Sequence, residues 1–282
     1  MKKSKYQFNV FVNCPFDDKY KPLFQAIVFT IHNAGYIARC ALEIDDASKP
    51  RLNKIMNIIE ECKYAVHDIS RTEPDPKNEL PRFNMPLELG IFLGSTRYGK
   101  RAHREKSCLI FDKEKYRYQK FISDIAGQDI AAHKNNQRIL TKRLRDWLRT
   151  ETRDPNIPGG SFVYDRFVEF KQDLPQLCKD MNLKIDELTY RDYVDIIGQW
   201  LENYDKLIKK IASMETLGIY QTQDDKEYDC LFFPDEKKAE AVGPLPPPGQ
   251  SGARGPAFTV HAASKKEARQ KLAAKIGPGH FM

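Results

Sequence analysis

Over the first half of the chain the apolar residues come in short blocks separated by polar turns, and block length and spacing tell strand from helix. "QFNVFVN" (7–13) is a Val- and Phe-rich run of strand length, and "KPLFQAIVFTIHNAG" (21–35) has helical spacing closed by Gly35. "YIARCALEI" (36–44) predicts a second strand and "KPRLNKIMNIIEECK" (49–63) a second helix. A third strand, "YAVHDIS" (64–70), leads through the polar loop "RTEPDPKNELPRFN" (71–84) into a helix over "PLELGIFLGS" (86–95). The fourth strand is "KSCLIFD" (106–112), and a basic amphipathic helix follows around "NQRILTKRLRDWLR" (136–149). Strands alternating with crossover-length helices predict an α/β domain, a parallel sheet with helices on both faces, over residues 1–152.

From 153 the pattern changes. "RDPNIPGG" (153–160) breaks the alternation, and residues 161–214 carry only helical periodicity, so 153–215 is expected to be a small helical extension, packed on the sheet domain or serving oligomerisation. Pro175 is expected to kink or end its first helix. Beyond 216 periodicity fades, and the Pro- and Gly-rich "AVGPLPPPGQSGARGPA" (241–257) cannot bury enough surface to offset its ordering entropy. Residues 216–282 are therefore expected to be a mostly disordered tail with at most a marginal helix at 264–276.

Composition adds little to this picture but excludes some classes. A net charge of +7 over 282 residues is held partly in "RYGKRAHREK" (97–106) and "KRLRDWLR" (142–149), which read as solvated faces rather than as nucleic-acid sites. The six cysteines form no C-x-x-C pair and several sit in apolar segments, which fits packed thiols in a reducing cytoplasm. The basic start has too short an apolar run for a signal peptide or membrane span. The P-loop, dinucleotide-fingerprint, zincin and hydrolase-elbow motifs are all missing from the sequence, and no metal ligand set is evident.

Ligands of parallel α/β sheets bind outside the carboxyl ends of the strands. That edge collects Asn13 and Asp17 after the first strand, Asp68, Ser70 and Arg71 after the third, then Arg82 and Asn84 before the next helix. Turn chemistry alone would account for Asn13 and Asp17, an Asx cap for Asp68, and a helix N-cap for Asn84. His67 is expected to be a core histidine and Cys14 an inert thiol. Glu88 lies in the apolar "RFNMPLELGIFLG" (82–94), sharing a helical face with Ile91 and Phe92, with no cation between it and Arg97. It reads either as a first-turn acid complementing the helix dipole or as a half-buried, ligand-facing carboxylate, and the apolar face favours the second.

These residues carry a likeness. "FVNCPFDDKYKPLFQAI", then "VHDIS", "RFNMPLELGIFLGSTRYGKR" and "SCLIFD", resemble the bacterial TIR-like proteins and the nucleoside 2-deoxyribosyltransferase-like group, over about residues 6–150. The resemblance implies a flavodoxin-like (TIR-like) sheet and Glu88 as the catalytic carboxylate at a ribose C1′ whose base departs. It also implies NAD or a related nucleotide as substrate, without further cofactor, and a role in bacterial anti-phage defence as a homo-oligomer or with a partner protein. Asp68 or Asn13 would then hold ribose hydroxyls, and Arg71 or Arg82 the pyrophosphate. The alternatives are a nucleotide-signal binding module without turnover and a TIR-like interaction scaffold in which Glu88 is only a helix-start acid. The long 71–83 loop and the helical extension depart from typical TIR domains.

Overall fold

The computed structural model describes residues 6–74, 79–81, 83–213, 218–221, 227–231 and 257–261, with side-chain surroundings up to residue 206. The chain divides into two compact units, 1–172 with 182–197, and 173–181 with 198–282.

In the first unit five strands form an all-parallel sheet: β1 (Asn9–Asn13), β2 (Ile37–Arg39), β3 (Tyr64–Asp68), β4 (Ser107–Asp112) and β5 (Ile130–Ala132). Their order is β2-β1-β3-β4-β5, the flavodoxin-like arrangement, with the reversal of strand order between β1 and β3. β1 and β3 are buried at every position, as a sheet covered on both faces requires. The expected β2 is shorter than its apolar run, because Ala41–Glu43 turn into a 3₁₀ helix. β5 is an addition to the four strands legible in the sequence.

Helix α1 (Lys21–Asn33) packs with α4 (Gln137–Thr152), and α2 (Arg51–Glu60) with α3 (Asn84–Tyr98). Phe11 and Ala65 from the sheet join Ile55, Ile58, Ile59 and Phe92 of α2 and α3 in one buried cluster. The alternation of the strands directs Val10, Val12 and Val66 to the opposite face. Gly35, at φ +81°, closes α1 in a conformation that disfavours L side chains.

The first unit runs past residue 152. Helix α5 (Gly160–Asp180) brings Phe167 and Phe170 against Phe29 of α1, at centroid distances of 5.4 and 5.2 Å. Helix α6 (Tyr190–Ser213) opens with Tyr190 and Tyr193 donating to the Ala38 and Gln25 carbonyls. The first-unit part of the extension is thus anchored by aromatic stacking on α1. Pro175 does not end α5, which continues to Asp180; Leu174 and Cys178 beside it are buried, and packing holds the turn that a missing hydrogen bond weakens.

In the second unit the Trp200 indole donates to Asp173 at 2.8 Å and stacks on Tyr204. Within the stretch expected to be a disordered tail, β6 (Gly218–Gln221), β7 (Glu227–Leu231) and β8 (Ala257–His261) form an antiparallel sheet in that order. This corrects the expectation for those residues: "GIYQ", "EYDCL" and "AFTVH" are runs of four or five with aromatic or β-branched members, too short to stand out by periodicity. The Pro-Gly tract up to residue 256 and the 264–276 segment lie outside the described residues. No helix among the described residues is long and apolar enough to cross a membrane.

Candidate functional site

The carboxyl ends of β1, β3, β4 and β5 meet along one edge, and two different environments are built there.

On the α2/α3 flank, Asn13 is the tie. Its side-chain amide donates to His67 Nδ1 and to the Met85 carbonyl, both at 2.9 Å, so the end of β1 is fastened to β3 and to the first turn of α3. His67 is fully buried, and burial drives its pKa down to about 3, which keeps the ring neutral between Phe11 and Phe92. The helix starts at Asn84 itself with Phe83 as cap residue and no side-chain cap bond, so the expected Asn84 cap is corrected: Asn84 is an exposed first residue. Glu88 consequently sits in the second turn of α3, past the reach of a first-turn dipole contact.

Glu88 is half-buried, next in the helical repeat to the fully buried Phe92. Burial raises its pKa to about 7, while Arg51 at the first position of α2 pulls the other way. The carboxyl is therefore divided between acid and carboxylate near neutral pH, the condition under which one group can work in either role. Its field reaches Cys14, whose thiol is pushed well up by burial first and then by Asp68, Cys40 and Glu88, so this thiol is inert.

Between the two flanks lies Asp68, with no exposed surface. Its carboxylate accepts from the Tyr20 hydroxyl at 2.5 Å and the Ser70 amide at 2.8 Å, and His133 Nε2 lies 3.0 Å away. Burial favours its protonated form, but His133, Ser70 and Tyr20 outweigh that and hold it below the usual carboxylate range. Asp68 thus joins β3, α1's leading turn and the β5–α4 loop from within.

On the α1/α4 flank charges are cross-paired. Arg117 donates to Asp112 at 2.8 Å, to the Ile69 carbonyl and Thr72 hydroxyl at 3.1 Å, and lies 3.5 Å from Glu73. It clamps the loop after β3 onto the end of β4. Lys113 also bonds Glu73. Beside this clamp opens a cleft of about 550 Å³, lined by Lys19, Ser70, Arg71, Lys113, Asn135 and Tyr164 among others. Arg71 reaches Asp17 at 3.5 Å, and Asp17 in turn lines a second cavity of about 240 Å³ with Phe16, Phe24, Leu42 and Tyr190.

Of the residues expected at the site, Ser70 and Arg71 line the cleft, Asp17 bridges it to the aromatic cavity, and Glu88 stands on the other flank. Asn13 and Asp68 are engaged internally, at 2% and 0% exposure. Arg82 lies outside the described residues. Sequence reasoning missed Tyr20, Lys19 and His133; Lys113 and Arg117 belong to the aromatic and basic stretch "DKEKYRYQKF" (112–121), which could clamp a nucleotide but reads by sequence as an ordinary exposed loop. His133 follows a segment with no long apolar run to mark it as a strand end, although a histidine after "DIAA" is a signal that could have been weighed. Among the described residues no cluster of three or more His, Cys, Asp or Glu side chains could hold a metal ion. A scan against models of known protein families finds no match to this chain, and a search of curated proteins finds none either.

Proposed function

We propose that the chain is an N-glycosidase that cleaves the base–ribose bond of NAD or a related nucleotide, with Glu88 as the catalytic carboxylate. The observation that supports this is a carboxyl poised near pH 7 by burial, on the ligand edge of a flavodoxin-like sheet, against an apolar wall. Breaking an N-glycosidic bond builds positive charge on the ribose ring. A carboxylate whose only opposing cation among the described residues is Arg51 is available to stabilise that charge or to trap C1′. Nicotinamide departs from a cationic ring as a neutral base, so the reaction asks for little acid catalysis.

Purified protein incubated with NAD should release nicotinamide, and Glu88→Gln should abolish release while folding normally. Because the ionised form is the working one, the rate should rise with pH through about 7. Absence of nicotinamide with wild-type protein across protein concentrations would refute the reading.

The internal engagement of Asn13 and Asp68 supports a second reading, a nucleotide-binding module without turnover, because these groups are not free to orient a ribose for attack. Retention of intact NAD by wild-type protein would single it out.

A further inference from the structure

The cleft and the aromatic cavity adjoin at one residue pair, and their chemistries are complementary halves of one ligand. Among the described residues the cleft presents three cations, Lys19, Arg71 and Lys113, against a single lining carboxylate, Glu73, which Lys113 and Arg117 already hold. Ser70, Asn135 and Gln137 add neutral polar groups, and α4 opens into the same space with its amino-terminal end. Lys19 makes no ion pair among the described residues. Such a lining suits a compact, multiply charged anion, and polyphosphate meets it better than a monocarboxylate because several oxygens engage several donors at once.

The cavity beyond Asp17 is of the opposite kind. Phe16 meets Phe24 edge to face at 5.3 Å, Phe24 meets Tyr190 at 6.0 Å, and Leu42 and Ile185 are each more than 40% exposed at the rim. A flat ring entering here would cover apolar surface that is otherwise wet. Asp17 and Arg71 stand between the two spaces, joined by a single long contact of 3.5 Å that leaves both partly exposed. A phosphate arriving in the cleft offers Arg71 a better-matched anion than Asp17.

We propose that this double cavity is a binding site for a nucleoside diphosphate, with the phosphates in the Lys19–Arg71–Lys113 cleft and the base against Phe16 and Phe24. The site is a matter of binding alone and holds whether or not Glu88 turns over a substrate.

Titration calorimetry on the full-length Glu88→Gln protein, in which turnover cannot consume the ligand, separates the two claims. ADP should bind saturably and more tightly than inorganic pyrophosphate. Lys19→Glu should weaken both about tenfold or more, the scale of one charge-assisted contact. Phe16→Ser should weaken ADP and leave pyrophosphate unchanged. Both residues are on the surface, and a thermal melt of each variant establishes that it folds. Absence of saturable ADP binding, or ADP binding indifferent to Lys19→Glu, overturns the site. Equal affinity for ADP and pyrophosphate, or ADP binding indifferent to Phe16→Ser, overturns the placement of the base.

Discussion

The two flanks of the sheet edge handle ionisable groups in opposite ways. On the α1/α4 flank nearly every carboxylate has a named cation or donor: Asp112 has Arg117, Glu73 has Lys113 and Arg117, Asp17 has Arg71. On the α2/α3 flank Glu88 is set against apolar packing, with only the field of Arg51 in opposition among the described residues, and its pKa rises to about 7. Paired charges give a rigid frame; a half-buried carboxyl set against apolar packing gives a group that titrates near neutral pH. Folding tolerates the second arrangement at a single position because Asn13 and the α2/α3 core hold the helix regardless of Glu88's state.

The largest effect should come from the centre that both flanks share. Asp68→Ala leaves a buried tyrosine hydroxyl and His133 without their partner and should cost about 3–5 kcal/mol in chemical denaturation at pH 7. Since its carboxylate is held below the usual range, the contribution of Asp68 is present above the unfolded pKa and is lost only as pH falls through the folded one. A loss under 1 kcal/mol would show that the frame does not depend on this network.

Arg117→Met should come next, at about 3 kcal/mol, because it leaves the Asp112 carboxylate buried and uncompensated. Burial already raises the pKa of Asp112, with Arg117 opposing. Without Arg117 the carboxyl can escape its cost by taking a proton, so the loss should be smaller at pH 5 than at pH 8. Equal losses at both pH values would mean that charge is not what Arg117 satisfies.

What could be read from the chain follows from how each element is stabilised. β1 and β3 are covered on both faces, so "NVFVN" and "YAVHD" are apolar runs that announce themselves. β5 is three half-buried residues, "IAA", whose place is set by pairing with Ile110–Asp112. No periodicity could reveal it. Glu88 was legible because a charge in an apolar run is a local anomaly. The cleft was not, since Lys19, Lys113 and Asn135 lie far apart in sequence and each is unremarkable in its own loop. Asp68 was legible as a strand-end acid but not as a buried one, because its partners Tyr20 and His133 come from α1's leading turn and the loop after β5.

Glu88→Gln tests the other side of the contrast and should stabilise. The folded protein holds the Glu88 proton up to about pH 7, whereas the unfolded chain releases it near the ordinary glutamate value of 4.5. Between those values the native state binds more protons than the unfolded state, so stability falls as pH rises through this window. The penalty is complete above about 7 and absent below 4.5. Glutamine carries no such penalty, so the variant should exceed the wild type by on the order of 2 kcal/mol at pH 8, after allowance for partial exposure, with the gap closing toward pH 4.5. A gap that does not vary with pH would show that Glu88 titrates as an ordinary surface acid.

The smallest effect should be that of Lys19→Ala. Lys19 is exposed and makes no ion pair among the described residues, so removing its charge should change stability by about 0.5 kcal/mol or less. The frame of the α1/α4 flank is built by cations that each hold a carboxylate; Lys19 lines the same cleft and holds none. If stability is unchanged and ADP binding is lost, the flank contains two classes of cation, those that fasten loops and one kept for an anion. A substantial loss of stability would instead place Lys19 among the fasteners and remove the distinction.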